Sequence, residues 1–555
     1  MIMRPLFLLF LAAALSGAAD RRLAPDIQGY APEDTVRVII RYRVAPQPRH
    51  RDLVTKRGGL HKATLDAINA EAFEVPASEL ADLANDPDVD YISPDRPVRG
   101  TLDYTQPAVN ANIAQQYGYK GAGIGIAVID SGVNPHPDLY DTQGRSRIVY
   151  SESFVAGDPS TDDAFGHGTH VAGIAAGDAL SSTGPFYTRT FMGIAPQAGI
   201  VNLRVLDKTG VGTVSSVIAA IQRAIKLASK YNIRVINLSL GQQVFESYKQ
   251  DPLCQAVEAA WKAGLVVVVA AGNGGRDDSA ATNGYATIRS PGNDPYAITV
   301  GAMKTEGTVT RADDLIASYS SKGPTLIDHF VKPDLVAPGN RTVSLLNWTS
   351  YLSSTYPTNQ ISVAYYTKLP LPWSTPLYLR LSGTSMATPV VSGAAALLLD
   401  KEPSLTPDQV KARLMKTATK QFPLFSTAVD PATGISYTSQ YDIFTVGAGY
   451  LDVWAALNNY DLAAKPALSP QVRYTNGTVS LVFPDSVVWG GSAVWGSSVV
   501  WGNQVLVGGS SAVWGSSVVW GSSTTQGFSV VWGNSAVWGS SQQTPSLSIL
   551  VNGEN

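Results

Sequence analysis

Five short apolar runs limit the folds open to this 555-residue chain. They occupy residues 124–129, 200–206, 235–240, 265–270 and 297–302. Each is too short for a packed helix and apolar at nearly every position, as a strand buried on both faces must be. Between them lie stretches with helical patterning, such as 213–230. Parallel strands need long crossover connections, and a helix supplies one. The alternation therefore predicts an α/β fold, a parallel sheet covered by helices on both faces, over about 101–458.

A smaller unit is predicted ahead of it, over about 20–100. Residues 36–42 alternate as a half-buried strand does, a polar helix is expected near 49–56, and Gly58-Gly59 marks a turn. Residues 70–75 read as a strand, Pro76-Ala77-Ser78-Glu79 opens a helix through about Ala84, and 89–92 read as a closing strand. The order βαββαβ suggests a ferredoxin-like α+β module; an unrelated α+β domain is the alternative.

The first nineteen residues read as a secretory signal. Arg4 supplies the positive end, 6–15 the apolar core and Ser16-Gly17-Ala18-Ala19 the small-residue cleavage region. The apolar stretch is short for a membrane span and Asp20-Arg21-Arg22 ends it. An uncleaved anchor is the rival reading. No later segment has the length and apolarity to cross a bilayer, so a secreted, extracellular or cell-surface protein is expected. A net charge of −3 gives no reason to expect a nucleic-acid partner. A single cysteine, Cys254, excludes an intramolecular disulfide and reads as a packed residue on a helix over 252–263.

Four segments carry candidate chemistry. Asp130 follows the apolar run 124–129, at the carboxyl end of a strand, where open α/β sheets place working residues. His167 opens the small-residue stretch Gly166-His167-Gly168-Thr169-His170, read as a helix start. Ser385, in Ser382-Gly383-Thr384-Ser385-Met386-Ala387, precedes a second helix over 386–399. Helix N-termini offer free N–H groups to developing negative charge. A serine hydroxyl needs a neighbouring base, an imidazole titrates in the right range, and a carboxylate fixes its tautomer. Asn273 ends the run 265–270 in a glycine turn. Singly each has a plainer reading: a cap, a packed helix histidine (expected for His170), a loop serine, a turn asparagine.

Together, in the order Asp, His, Ser, these segments resemble the subtilisin family of serine proteases. The resemblance implies a subtilisin-like sheet and a triad of Asp130, His167 and Ser385. It implies an oxyanion hole from the Asn273 side chain and the Ser385 N–H. For substrate it implies Ser239, Leu240 and Gly241 on one pocket wall, Ala270, Ala271 and Gly272 on the other, and Gly210, Val211 and Gly212 as an edge pairing with the peptide. Arg289 stands where the family usually has a small residue closing the pocket. It is expected either to narrow the pocket or favour an acidic side chain, or to point to solvent. The N-terminal unit, down to its closing Val89-Asp90-Tyr91-Ile92-Ser93-Pro94-Asp95, resembles the family's propeptide, an intramolecular chaperone and inhibitor. Self-cleavage is then expected between Asp95 and Tyr104.

Two stretches depart from the short family pattern: 177–189, and an aromatic- and proline-rich insertion over 341–378. Both are open to two readings, overhanging the cleft or decorating the surface. No cofactor is expected for the chemistry. A structural calcium, associated in relatives with an acid such as Asp138, stays open and unassigned.

The region 459–555 is read separately. Over about 487–540 it repeats Val-Val-Trp-Gly-Ser-Ser, with Trp489, Trp495 and Trp501 six apart. An even spacing puts every Trp on one face of a strand. A small β-solenoid, short hairpins or a sticky uncharged tail are the alternatives. Attachment to a surface, glycan or insoluble substrate is one expectation; buried structural Trp is the other. The function expected of the whole is a secreted serine endopeptidase, made as an autoprocessed zymogen and acting on protein or peptide substrates. A non-catalytic surface protein and a peptide ligase are the rivals.

Overall fold

The computed structural model describes residues 22–24, 27, 30–65, 69–94, 104–279, 282–368, 374–475, 478–482 and 544–554. The signal region, the repeats and all of the expected cleavage window except Tyr104 lie outside them. The chain divides into two units, residues 1–99 and 100–555.

In the first unit the described elements are β1 (Thr35–Tyr42), α1 (Pro48–Lys56), β2 (Leu60–Leu65), β3 (Ala70–Pro76), α2 (Leu80–Ala84) and β4 (Val89–Pro94). The sheet order is β2-β3-β1-β4, with every neighbour antiparallel. The alternation in β1 buries Val36, Val38, Ile40 and Tyr42 against Phe73, Val75, Leu80 and Ile92. Strand β2 is mostly exposed. Its sequence carries no apolar alternation, so the βαββαβ order implied this strand without locating it. A 3₁₀ turn, Ala77–Glu79, starts what reads in sequence as one helix.

The second unit holds an eight-stranded sheet. Its strands are β5 (Gly125–Asp130), β6 (Ile148–Ser153), β7 (Gly199–Arg204), β8 (Ile233–Leu238), β9 (Val266–Ala270), β10 (Ile298–Lys304), β11 (Leu315–Ile316) and β12 (Leu335–Pro338). The order is β11-β10-β9-β8-β5-β7-β6, with β12 also paired to β10. All pairings are parallel except β10 with β11. The chain moves outward from β5 to β6, returns through β7, then continues on the other side of β5 with β8. The strand order therefore reverses at β5, and such a reversal opens a crevice at the strand's carboxyl end. Asp130 is the last residue of β5.

Helices α3 (His167–Ala176), α4 (Val214–Tyr231), α5 (Pro252–Lys262) and α6 (Thr384–Lys401) cover the sheet. Thr213 caps α4 by accepting from the Ser216 N–H, and Asp251 caps α5 through the Leu253 N–H. All ten residues of α3 are buried, and nearly all of α6. Small residues line both, which lets backbones approach closely. Residues beyond 458 contribute to this unit's core, among them Ala467, Val472, Ile549 and Leu550.

Candidate active site

Asp130 and His167 meet at the crevice. His167, the first residue of α3, donates through Nδ1 to Asp130 Oδ1 at 2.7 Å. The same oxygen accepts the Ser131 N–H at 2.7 Å. Asp130 Oδ2 is buried with no hydrogen-bond partner among the described residues. Burial pulls the His167 pKa down, but the Asp130 charge and hydrogen bond, with Asp163 behind, outweigh it and hold it above its ordinary value. Gly168 makes this approach possible: a Cβ there would lie 2.2 Å from the Gly132 carbonyl and 3.2 Å from Asp130 Cβ.

Asp163 escaped the sequence reading. Its fully buried carboxylate accepts from Ser131 Oγ at 2.7 Å, from the Gly166 N–H at 2.7 Å and from the Thr169 N–H at 2.7 Å. Ser131 Oγ in turn accepts the Gly168 N–H at 2.9 Å. One acid thus ties the end of β5 to the free amides that open α3. The available signal was an aspartate four residues before His167, in the place of a helix-start anion. His170 is structural, as expected. Its Nε2 lies 3.1 Å from the carbonyls of both Thr342 and Leu379, and burial pushes its pKa down to about 3, so it stays neutral.

Ser385 lies in the first turn of α6, and its hydroxyl donates to the Ser239 carbonyl at 3.0 Å. No hydrogen bond joins Ser385 and His167 among the described residues. The Ser385 carbonyl would ordinarily accept from the residue four positions on, but that residue is Pro389, which has no N–H. Ser239 Oγ fills the gap, donating to the Ser385 carbonyl at 2.8 Å. Asn237 and Ser392 continue this buried chain.

Asn273 follows β9. Its Oδ1 accepts the Thr384 N–H at 3.0 Å and the Thr384 hydroxyl at 3.1 Å, while that hydroxyl accepts the Gly272 N–H at 3.1 Å. The amide is therefore oriented with its oxygen spent and its NH₂ available. This joins the loop after β9 to the residue before the serine.

The expected pocket walls also converge. Backbone bonds run from Arg289 N to the Ala271 carbonyl at 3.0 Å, and between Gln242 and Ser290 in both directions. These link the chain after Ser239, Leu240 and Gly241 to the chain carrying Ala270, Ala271 and Gly272. Arg289 lies between the two walls. A Cβ on Gly272, at φ +106°, would lie 2.5 Å from Arg289 Cγ, and one on Gly241 would lie 3.2 Å from Arg289 Cβ. The half-buried guanidinium has no hydrogen-bond or ion-pair partner among the described residues. Burial lowers its pKa, with Asp277 opposing. Val211, between Gly210 and Gly212, is exposed, as an edge open to a partner strand would be.

The two departures from the family pattern pack on one another. β13 (Thr342–Leu345) and β14 (Tyr378–Leu381) close the base of the insertion. The Tyr351 and Leu352 N–H groups donate to the Ala164 and Phe165 carbonyls at 2.9 and 3.0 Å, and Tyr351 stacks on Phe165. The Phe165 ring centroid is 6.3 Å from that of His167. The 177–189 stretch is tied to the insertion by Thr188 and Lys368 backbone bonds and by Arg189 over the Tyr365 ring at 3.7 Å.

Asp138 is held by protein partners. Its carboxylate accepts from Tyr378 OH at 2.7 Å and the Ser181 N–H at 2.8 Å, and its carbonyl is held by Arg147 at 2.7 Å.

The Subtilase family profile (Peptidase_S8) matches residues 121–436, more than half of the chain. The chain belongs to that family and is a subtilisin-like serine peptidase. Serine protease AprX of Bacillus subtilis (strain 168) is 36% identical over 373 residues, covering 65% of this chain and 76% of that protein. Subtilisin DY of Bacillus licheniformis is 36% identical over 320 residues, covering 58% and 92%. A solved cold adapted subtilisin-like serine proteinase is 30% identical, covers 54% of this chain and 84% of its own, and superposes with a TM-score of 0.38.

Proposed function

We propose that the protein is a secreted endopeptidase, made as a precursor that processes itself, with Asp130, His167 and Ser385 as its triad. The observation that carries this reading is the buried Asp130–His167 hydrogen bond of 2.7 Å, which leaves Nε2 as the ring's free base. His167 takes the Ser385 proton as Oγ attacks the peptide carbonyl, and returns it to the leaving amine. The Asn273 NH₂ and the Ser385 N–H hold the developing oxyanion. Water then releases the acyl-enzyme. The reaction as proposed uses side chains and water alone, with no cofactor.

The N-terminal unit supports a precursor: its sheet order is that of a ferredoxin-like module, the fold expected for the inhibitory propeptide. Secretion rests on the sequence of residues 1–19. Arg289, placed between Gly241 and Gly272, narrows the pocket, and its unpaired charge favours an acidic side chain at the cut.

Intact-mass analysis of wild type beside Ser385→Ala, before and after a fluorophosphonate probe, tests the core of this reading. Wild type is expected to shed its N-terminal unit and take one adduct, and the variant to do neither. Folded wild type that stays full length and unlabelled would overturn it. For Arg289, a peptide library decides: a clear preference for Lys or Arg at the cut sinks the acidic pocket.

A further inference from the structure

Beyond the repeats, the chain packs back onto the catalytic unit. The helix Thr544–Asn552 (α7) sets Ile549 and Leu550 into the main core, 6% and 9% exposed. The Ser382 N–H donates to the Leu550 carbonyl at 2.9 Å, and Asn359 Nδ2 to the Val551 carbonyl at 2.6 Å. Asn340 clamps the backbone of Glu554 from both sides: Nδ2 donates to the Glu554 carbonyl at 2.8 Å, and Oδ1 accepts the Glu554 N–H at 3.0 Å.

The Glu554 carboxylate is fully buried. It accepts the Ser318 N–H at 2.9 Å, the Ser318 hydroxyl at 2.5 Å and Arg276 at 2.7 Å. No charged residue stands between Asp485 and Glu554. The first charge after that long neutral stretch thus ends in a buried, fully hydrogen-bonded ion pair, an arrangement that costs desolvation and is tolerated only with good geometry.

What the segment grips is the back of the active site. Arg276 is three residues past Asn273, and Ser382 is three residues before Ser385. Asn340 adjoins Gly339, whose carbonyl accepts the Gly383 N–H at 2.8 Å. Ser318 leads to Ser321, whose N–H donates to the Gly272 carbonyl at 2.9 Å and whose Oγ accepts the Gly274 N–H at 2.9 Å. From the front, the two loops are joined by the Thr384 bonds to Asn273 Oδ1. From behind, they are joined by residues 550–554.

We infer that residues 547–554 form a strap that aligns the oxyanion site, with Glu554 a positioning residue acting on Asn273 through Arg276 and Ser318. The inference rests on the proposed roles of Ser385 and Asn273. An oxyanion donor acts only when it meets the transition-state oxygen at hydrogen-bond distance, so a loosened loop loses turnover before it loses substrate binding.

The test uses the full-length chain with Glu554→Ala, the isosteric Glu554→Gln, Asn273→Ala, and each Glu554 change combined with Asn273→Ala. Glu554→Ala is expected to lower kcat about tenfold with KM within about twofold, a fraction of the 10²–10³ lost with an oxyanion donor itself. Glu554→Gln, which keeps the acceptor for Ser318, is expected to recover part of that loss. In the Asn273→Ala background, either change is expected to lower kcat no further, because the group it positions is gone. An unchanged kcat, a loss confined to KM, or losses that multiply in the double variant would each overturn the inference. Should Glu554→Ala fail to fold, the Gln variant and its double carry the same comparison. The site reading fails separately, if Ser385→Ala keeps its activity.

Discussion

His167 has to be neutral to accept a proton, and its surroundings favour the cation. Burial works against the charge, while Asp130 and Asp163 work for it and prevail. The base form therefore appears only above the raised pKa, so kcat/KM should climb with pH along an acid limb centred above 6.5. Asp130→Asn removes the opposing charge and leaves burial dominant. The limb should move to lower pH while turnover falls by about 10⁴-fold, as the ring loses its tautomer; a pH–rate profile of both proteins reads both effects. A limb that stays in place would show that Asp130 does not set the imidazole's charge. At Asn273, Ala should cost about 10²–10³ in kcat, the figure known for such a donor in a subtilisin, with little change in KM. Steady-state kinetics on one peptide substrate separates the two. Arg289→Gly should remove the cation between the pocket walls and shift library cleavage from acidic toward larger apolar side chains.

The first turn of α6 shows how one proline shapes an element. Pro389 leaves the Ser385 carbonyl without its helical partner, and Ser239 Oγ supplies a substitute from the end of β8. Ser239→Ala would strand that buried carbonyl, at a cost of about 1–3 kcal/mol in unfolding free energy. Adding Pro389→Ala restores an N–H four residues on, so the double variant should regain most of the loss. Denaturant midpoints at constant m-value check this, and a double variant no better than the single would place the carbonyl's partner elsewhere. The insertion is likewise more than a long loop. Its Ser350–Leu352 turn lies on Ala164 and Phe165, so its aromatic side reaches the residues next to His167.

In the second unit, Asp334 is a buried charge that joins several elements. Its carboxylate faces Lys332 at 2.7 Å and Lys411 at 3.2 Å, and accepts from Ser469 Oγ at 2.6 Å and the Thr299 N–H at 2.8 Å. Burial raises its pKa, but the two lysines outweigh this and hold it below the usual carboxylate value; Lys411 is pushed down to about 7. These contacts join β10, β12, the helix Pro407–Thr417 and the chain near 469. Asp334→Asn removes the counter-charge that Lys332 and Lys411 share and should cost about 3–5 kcal/mol, read as a fall in the denaturation midpoint at neutral pH. A change under about 1 kcal/mol would mean that the carbonyls of Pro295, Tyr296 and Ala297, which already accept from these lysines, hold them without the carboxylate.

Much of this architecture was legible along the chain because its signals are local. Apolar runs of strand length separated by helical pattern gave the α/β class, and Asp130, His167, Asn273 and Ser385 each stood at the end of such a run or the start of a helix. Pattern placed each of those positions at one end of an element, and their order Asp, His, Ser, shared with the subtilisin family, singled them out. Asp163 was missed because its role is to accept hydrogen bonds from Ser131, Gly166 and Thr169, and acceptance leaves no periodic trace. Resemblance pointed to Arg289 at the pocket and left the insertion either over the cleft or on the surface, but the contacts of Arg289 with two glycines, the seat of the insertion beside Phe165 and the return of Glu554 to Arg276 were not readable from it. Those are contacts between residues far apart in the chain, chosen by packing and by the need to satisfy buried charge, and only the closed three-dimensional structure brings their partners within reach.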